Sequence, residues 1–168
     1  MQESVIEKVD APGQGTIKQF NTFRLSGRLF GVDILDVKEI TRELEFTPIY
    51  HAAKEVWGYV NIRGQIYLVL DMRLLLGFEK KESDSDSCII FFKQKVAEPF
   101  GVLVDKIGDV VDVPEDKIEG KLKVGDAISS ADLDLFAGAD NLINGVCKLQ
   151  DDLLVTLNAY KFISAIES

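Results

Sequence analysis

Trp57–Gly77, WGYVNIRGQIYLVLDMRLLLG, is the stretch whose reading decides the fold. Trp57–Ile62 and Gln65–Leu70 are rich in β-branched and aromatic residues, which suit a pleated, half-buried surface. Arg63-Gly64 between them supplies the positive φ that a short hairpin loop needs. Asp71 stands where a carboxylate can accept from the unpaired N–H groups of a first helical turn; Met72–Leu76 are good helix formers, and Gly77 stops them. The spacing predicts strand, tight turn, strand and short helix. Arg63, a permanent cation, sits at the tip of an otherwise apolar hairpin.

The unit occurs twice. GYVNIRGQIYLVLDMRLLL from Gly58 lies over GVCKLQDDLLVTLNAYKFI from Gly145, Gly on Gly and the helix cap Asp71 on Asn158, a residue that caps equally well. The turn pair Arg63-Gly64 becomes Gln150-Asp151, so the fold signal repeats and the charge does not. Upstream, FGVDI from Phe30 echoes FGVLV from Phe100, each entered after a polar turn, Ser26–Arg28 and Gln94–Pro99. The chain reads as two versions of one small β module in tandem.

Working outward, residues 1–17 read as a flexible leader, and residues 18–168 as one domain. Its expected parts are a first subdomain over about 18–80, a second over about 86–157 and a terminal helix over about 158–167. The first subdomain opens with a hairpin around Ser26-Gly27. DILDVKEI, from Asp33, mixes a helical face (Ile34, Val37, Ile40) with β-branched content, predicting a helical turn flanked by strand. Leu44–Ile49 reads as a fifth strand, enough for a small barrel. FEKKESDSDS, from Phe78, is an exposed connection. Its DSDS is no EF-hand, because Ile89 stands where the loop Gly belongs and Lys95 where the bidentate Glu belongs. The second subdomain starts with the apolar CIIFF at Cys88, and from Pro114 to Asp140 it makes a long surface excursion with a helical turn. The terminal helix presents Tyr160, Phe162, Ile163 and Ile166 for docking on the sheets.

A length of 168 residues with 46% hydrophobic content suits one substantial core or two small ones that share an interface. A net charge of −9 argues against nucleic-acid and anionic-membrane partners, which need a clustered positive face. No apolar run approaches the roughly 18 residues of a membrane span, so direct membrane insertion is not expected. Cys88 and Cys147 sit inside apolar strand patterns and read as reduced, buried thiols of a cytoplasmic protein.

Catalytic and metal patterns are missing. His51 is the only histidine and lies in a connection, with no nucleophile or orienting partner suggested. No glycine-rich phosphate loop is present. The carboxylate pairs Asp33/Asp36, Asp84/Asp86 and Asp151/Asp152 carry no mark of desolvation, so a hydrolase is the weakest reading. No cofactor or metal is expected.

Asn61, Arg63, Gly64, Asp71 and Arg73, preceded by GVDILDVKEI from Gly31, resemble the CheW family of chemotaxis coupling proteins. In that family the corresponding run reads roughly N-L-R-G, a short apolar strand, then D-L-R. The resemblance extends from about Phe20 to Phe162. It implies a mainly β fold of two intertwined, SH3-like five-stranded β-barrels with short helices and a C-terminal helix. It also implies a non-catalytic adaptor, cytoplasmic and placed at receptor arrays on the inner face of the membrane. Such an adaptor bridges the cytoplasmic tip of methyl-accepting chemoreceptors to the regulatory domain of a CheA-type histidine kinase. By the same resemblance Val37, Glu39 and Arg63 fall on receptor- or kinase-contact positions, and Asn61 and Gly64 shape the hairpin that presents Arg63.

The chain departs from the family pattern at Leu68 and Ala52-Ala53, where relatives commonly carry Pro and Ala-Pro, and at Asp151-Asp152, where an Arg often stands near the turn. These departures leave open a CheW-like adaptor of a pilus or surface-motility pathway. A different class of function, small-ligand sensing in the groove between the barrels, is the runner-up.

Overall fold

The computed structural model describes residues 16–42, 45–120 and 141–167. Ten strands build two five-stranded sheets: β1 (Ile17–Leu25), β2 (Arg28–Asp33), β3 (Val37–Arg42), β4 (Val56–Ile62), β5 (Gln65–Asp71), β6 (Cys88–Phe92), β7 (Phe100–Val104), β8 (Lys106–Pro114), β9 (Ile143–Lys148) and β10 (Leu153–Leu157). The first sheet runs β8-β1-β2-β10-β9 and the second β3-β6-β7-β5-β4. The predicted hairpins form at Ser26-Gly27 and Arg63-Gly64, all four residues at positive φ.

The repeat is real, and its register fixes the correspondence. In the parallel pair β2/β10, Phe30 faces Val155; in the parallel pair β7/β5, Phe100 faces Leu68. The antiparallel pairs agree: Phe23 faces Ile107 across β1/β8 as Phe92 faces Val37 across β6/β3. An approximate two-fold therefore carries β1, β2, β8, β10 and β9 onto β6, β7, β3, β5 and β4.

That symmetry corrects the tandem reading. The first sheet takes β1 and β2 from the first half of the chain and β8–β10 from the second, while the second sheet takes β3–β5 and β6–β7. The division into subdomains over 18–80 and 86–157 therefore does not coincide with the sheets. The reason lies in two short links. β7 and β8 are separated by Asp105 alone, fewer residues than the tightest common hairpin loop, so β8 runs on into the facing sheet. β2 is already flanked by β1 and β10, so the 3-10 turn Ile34–Asp36 delivers β3 to the other sheet.

Among the described residues three apolar clusters follow. One lies within each sheet: Phe20, Leu29, Val113, Cys147 and Leu154 in the first, and Val60, Tyr67, Val69, Ile89, Phe91 and Leu103 in the second. The largest lies between the sheets and contains the two-fold-related stacks Phe23–Phe30 and Phe92–Phe100, with ring centroids 6.0 and 4.9 Å apart.

Local expectations fare unevenly. Strand β1 begins at Ile17, within the segment read as a leader, whose first 15 residues lie outside the description. In place of a strand over Leu44–Ile49 there is a single bridge, Thr47 to Tyr59, with Glu43 and Leu44 outside the described residues. In the excursion from Pro114 the described residues hold the 3-10 turn Glu115–Lys117 and a bridge from Glu119 to Val146, and residues 121–140 are likewise outside. The terminal helix starts as a 3-10 turn, Ala159–Lys161, before α-helix Phe162–Glu167. Phe162 is buried, but Tyr160 points to solvent instead of docking. Cys147 is buried and Cys88 half-buried, and burial pushes both free thiols up.

Asp71 caps the helix Met72–Leu75 as predicted, its Oδ1 accepting from Arg73 N at 3.0 Å and Leu74 N at 3.4 Å. Burial raises its pKa above the ordinary 3.8, outweighing those two bonds and the Arg73 charge. A carboxyl held above its unfolded value binds a proton more readily in the folded protein, so its ionisation is a penalty at neutral pH that disappears below about 3.8. Asp71→Asn keeps the accepting oxygen and removes the charge. Its Tm is expected to equal or exceed wild type at pH 7 and to lose that advantage below pH 4, whereas Asp71→Ala, lacking the acceptor, is expected to lose about 1 kcal/mol at pH 7. Thermal unfolding of the two variants at both pH values checks this.

Candidate functional site

The β4–β5 turn holds three of the expected site residues, Asn61, Arg63 and Gly64, in one corner. Arg63 and Gly64 adopt φ of 51° and 86°, and the Asn61 side-chain oxygen accepts from Gly64 N at 2.9 Å. Arg63 Nη2 donates to Glu39 Oε1 at 2.6 Å. Glu39 stands on β3 and Arg63 at the end of β4, the two outer strands of the second sheet, so the ion pair joins the sheet's opposite edges. The Arg63 side chain remains 72% exposed and keeps donors facing solvent. Beside it, Lys38 Nζ donates to the Tyr67 hydroxyl at 2.7 Å. Val37 is half-buried against the inter-sheet core opposite Phe92, so it supports this corner more than it presents a surface. A β-bulge between Val37 and Glu39 sets the direction in which Glu39 leaves the strand.

A second feature begins at the start of β3. The turn Ile34–Asp36 borders a groove of about 520 Å³ whose walls include Phe20, Leu35, Lys95, Thr156, Asn158 and Tyr160. Leu35 is 63% and Tyr160 48% exposed, large apolar groups that water solvates poorly. Both are fixed locally: Asp33 Oδ1 accepts from Leu35 N at 2.9 Å, and Asn158 Oδ1 from Tyr160 N at 3.0 Å. Charged pairs surround them, Lys18–Asp33 at 3.2 Å and Lys95–Asp36 at 3.7 Å. Burial, helped by the Asp33 charge and opposed by Lys95, raises the Asp36 carboxyl above its ordinary value.

Leu35 and Tyr160 escaped the sequence reading, which placed Tyr160 in the core. The signal was in the repeat. The two-fold carries Leu35 onto Asp105 and Tyr160 onto Arg73, and those two form an ion pair at 2.5 Å with side chains only 17% and 13% exposed. One crossover between the sheets is thus closed by opposite charges. At the other, the same two positions hold exposed apolar side chains beside a groove.

The CheW-like domain family matches residues 19–167. This chain belongs to the CheW-like family. Over 152 residues it is 28% identical to the chemotaxis protein CheW of Treponema pallidum, covering 89% of this chain and 84% of that one. With CheW of Klebsiella aerogenes the identity is 24% over 157 residues, 92% of this chain and 87% of that one. The crystal structure of the scaffolding protein CheW from Thermoanaerobacter tengcongensis matches with a TM-score of 0.69 at 27% identity, covering 84% of this chain and 88% of that one. The fold is the SH3-like one the resemblance implied, and this CheW-like chain is an adaptor of chemosensory signalling, not an enzyme. Among the described residues no helix is long and apolar enough to cross a membrane.

Proposed function

We propose that this CheW-like protein joins the cytoplasmic tip of a chemoreceptor to the regulatory domain of a CheA-type kinase through the two surfaces that strand β3 connects. The observation that carries the reading is the open crossover, where Leu35 and Tyr160 stand exposed at a groove. An amphipathic helical hairpin buries its apolar face in such a groove, and the flanking Lys18/Asp33 and Lys95/Asp36 charges set its register. Four residues along the chain from Leu35, at roughly 3.3 Å per residue, β3 reaches Glu39 and the Arg63 corner, which faces the kinase domain. Val37, Asn61 and Gly64 position that corner. The protein then works at receptor arrays on the inner face of the membrane, by reversible contacts of modest area.

Isothermal titration against a CheA regulatory domain and a receptor hairpin fragment from the same cell tests this. Binding at micromolar affinity, about −8 kcal/mol, is the expected result for each; absence of both with the wild type folded sinks it. Arg63→Ala is expected to change stability by no more than about 1 kcal/mol, as for an exposed ion pair, while kinase binding weakens at least tenfold. Glu39→Ala, which frees Arg63 from its partner, is expected to weaken kinase binding less.

A further inference from the structure

The closed crossover is built with unusual care for a link of one residue. Asp105 Oδ2 accepts from Arg73 Nη1 at 2.5 Å and from Ser26 N at 3.0 Å. Ser26 belongs to the β1–β2 turn of the first sheet; Arg73 belongs to the helix that follows β5 of the second. Arg73 is held in turn, its Nε donating to Glu79 O at 2.9 Å and its guanidinium lying 5.8 Å from the Phe78 ring centroid. One carboxylate oxygen therefore ties both sheets together where the chain passes between them.

The inter-sheet core does not supply that restraint by itself. Each phenylalanine stack joins neighbouring strands of one sheet, Phe23–Phe30 in the first and Phe92–Phe100 in the second, and the apolar burial that packs them into one cluster depends on area and not on direction. Directed polar contacts favour the one arrangement that satisfies their geometry, even where they add little net stability. At the two-fold-related crossover Leu35 and Tyr160 impose no such direction.

We infer that Arg73 and Asp105 are a positioning pair: they fasten the sheets at one crossover and so hold Lys95, the second sheet's contribution to the groove at the other, against the wall of Phe20, Thr156 and Asn158 from the first sheet, in the shape that receives its partner. The second half of this statement rests on the reading of the groove as the receptor site; the first half does not. Residual dipolar couplings of the full chain test both, with Asp105→Asn, Arg73→Gln and Arg73→Lys beside wild type and receptor-hairpin affinity measured on the same samples.

Wild type is expected to fit one alignment tensor over both sheets. In Asp105→Asn and Arg73→Gln each sheet should still fit its own strands, but the two tensors should rotate apart or differ in magnitude, and receptor affinity should fall about threefold to tenfold. Arg73→Lys, which keeps the charge, should recover part of both. A single shared tensor in both neutral variants overturns the proposal. So does loss of the fold in all three, which would make the pair a stability element, and so does a rotated tensor with unchanged affinity. Rotated tensors together with no binding by wild type support the fastening and overturn the groove reading alone.

Discussion

Phe92→Ala is expected to lower the unfolding free energy by about 3–5 kcal/mol, as large-to-small changes of buried aromatics do. The ring is 1% exposed, stacks on Phe100 at 4.9 Å and meets the edge of Phe162 at 5.9 Å. It therefore joins β6, β7 and the terminal helix in the core between the sheets, where neighbours from both cannot collapse together without moving a sheet. Against the 5–15 kcal/mol typical of a whole domain this is a large fraction. At about 2–4 °C per kcal/mol for a chain of this size, Tm is expected to fall on the order of 10 °C. Urea and thermal unfolding measure it. A loss below about 1 kcal/mol would show that the inter-sheet core repacks freely, and the apolar cluster that contains Phe23, Phe30, Phe92 and Phe100 would then not be what holds the sheets together.

Leu35→Glu is expected to leave stability within about 0.5 kcal/mol, as for surface positions generally, and to weaken the receptor hairpin by tenfold or more. Burying a leucine side chain is worth about 1.5–3 kcal/mol, and a carboxylate in its place adds a desolvation penalty and stands beside Asp33 and Asp36. Tyr160→Glu should act in the same direction. Kinase-domain affinity, dependent on the Arg63 corner, should remain within about threefold in both, which calorimetry on the two partners separates. Equal weakening of kinase and receptor would mean that groove and corner are one continuous surface. No weakening of the receptor would remove the groove from the interface.

The hairpins, the caps and the corner were legible because each is specified within a few residues. Ser26-Gly27 and Arg63-Gly64 carry the positive φ of their turns, and Asp71 and Asn158 accept from the N–H groups two residues on. Asn61 holds Gly64 three residues away, so the shape of the Arg63 loop is local as well. The Arg63–Glu39 contact is not: 24 residues separate them, and only the curl of the sheet brings its outer strands together. Leu35 and Tyr160 were harder still, because apolar residues next to a helical turn read as core until a tertiary structure shows which face is covered.

By itself the sequence determined the mainly β class, the internal repeat, the position of each turn and cap and the family to which the chain belongs, since all of these are carried by residue type at short spacing. Which sheet each strand joins was decided only in three dimensions. An apolar strand such as β7 or β10 fits either half of a repeated fold equally well; links too short to turn back send β3 and β8 to the facing sheet, and the two parallel registers, β2/β10 and β5/β7, seat Phe30 and Phe100 in a shared core. The same exchange leaves one crossover closed by Arg73–Asp105 and the other open at Leu35 and Tyr160, an asymmetry of charge that becomes an asymmetry of surface only when the two sheets are packed together.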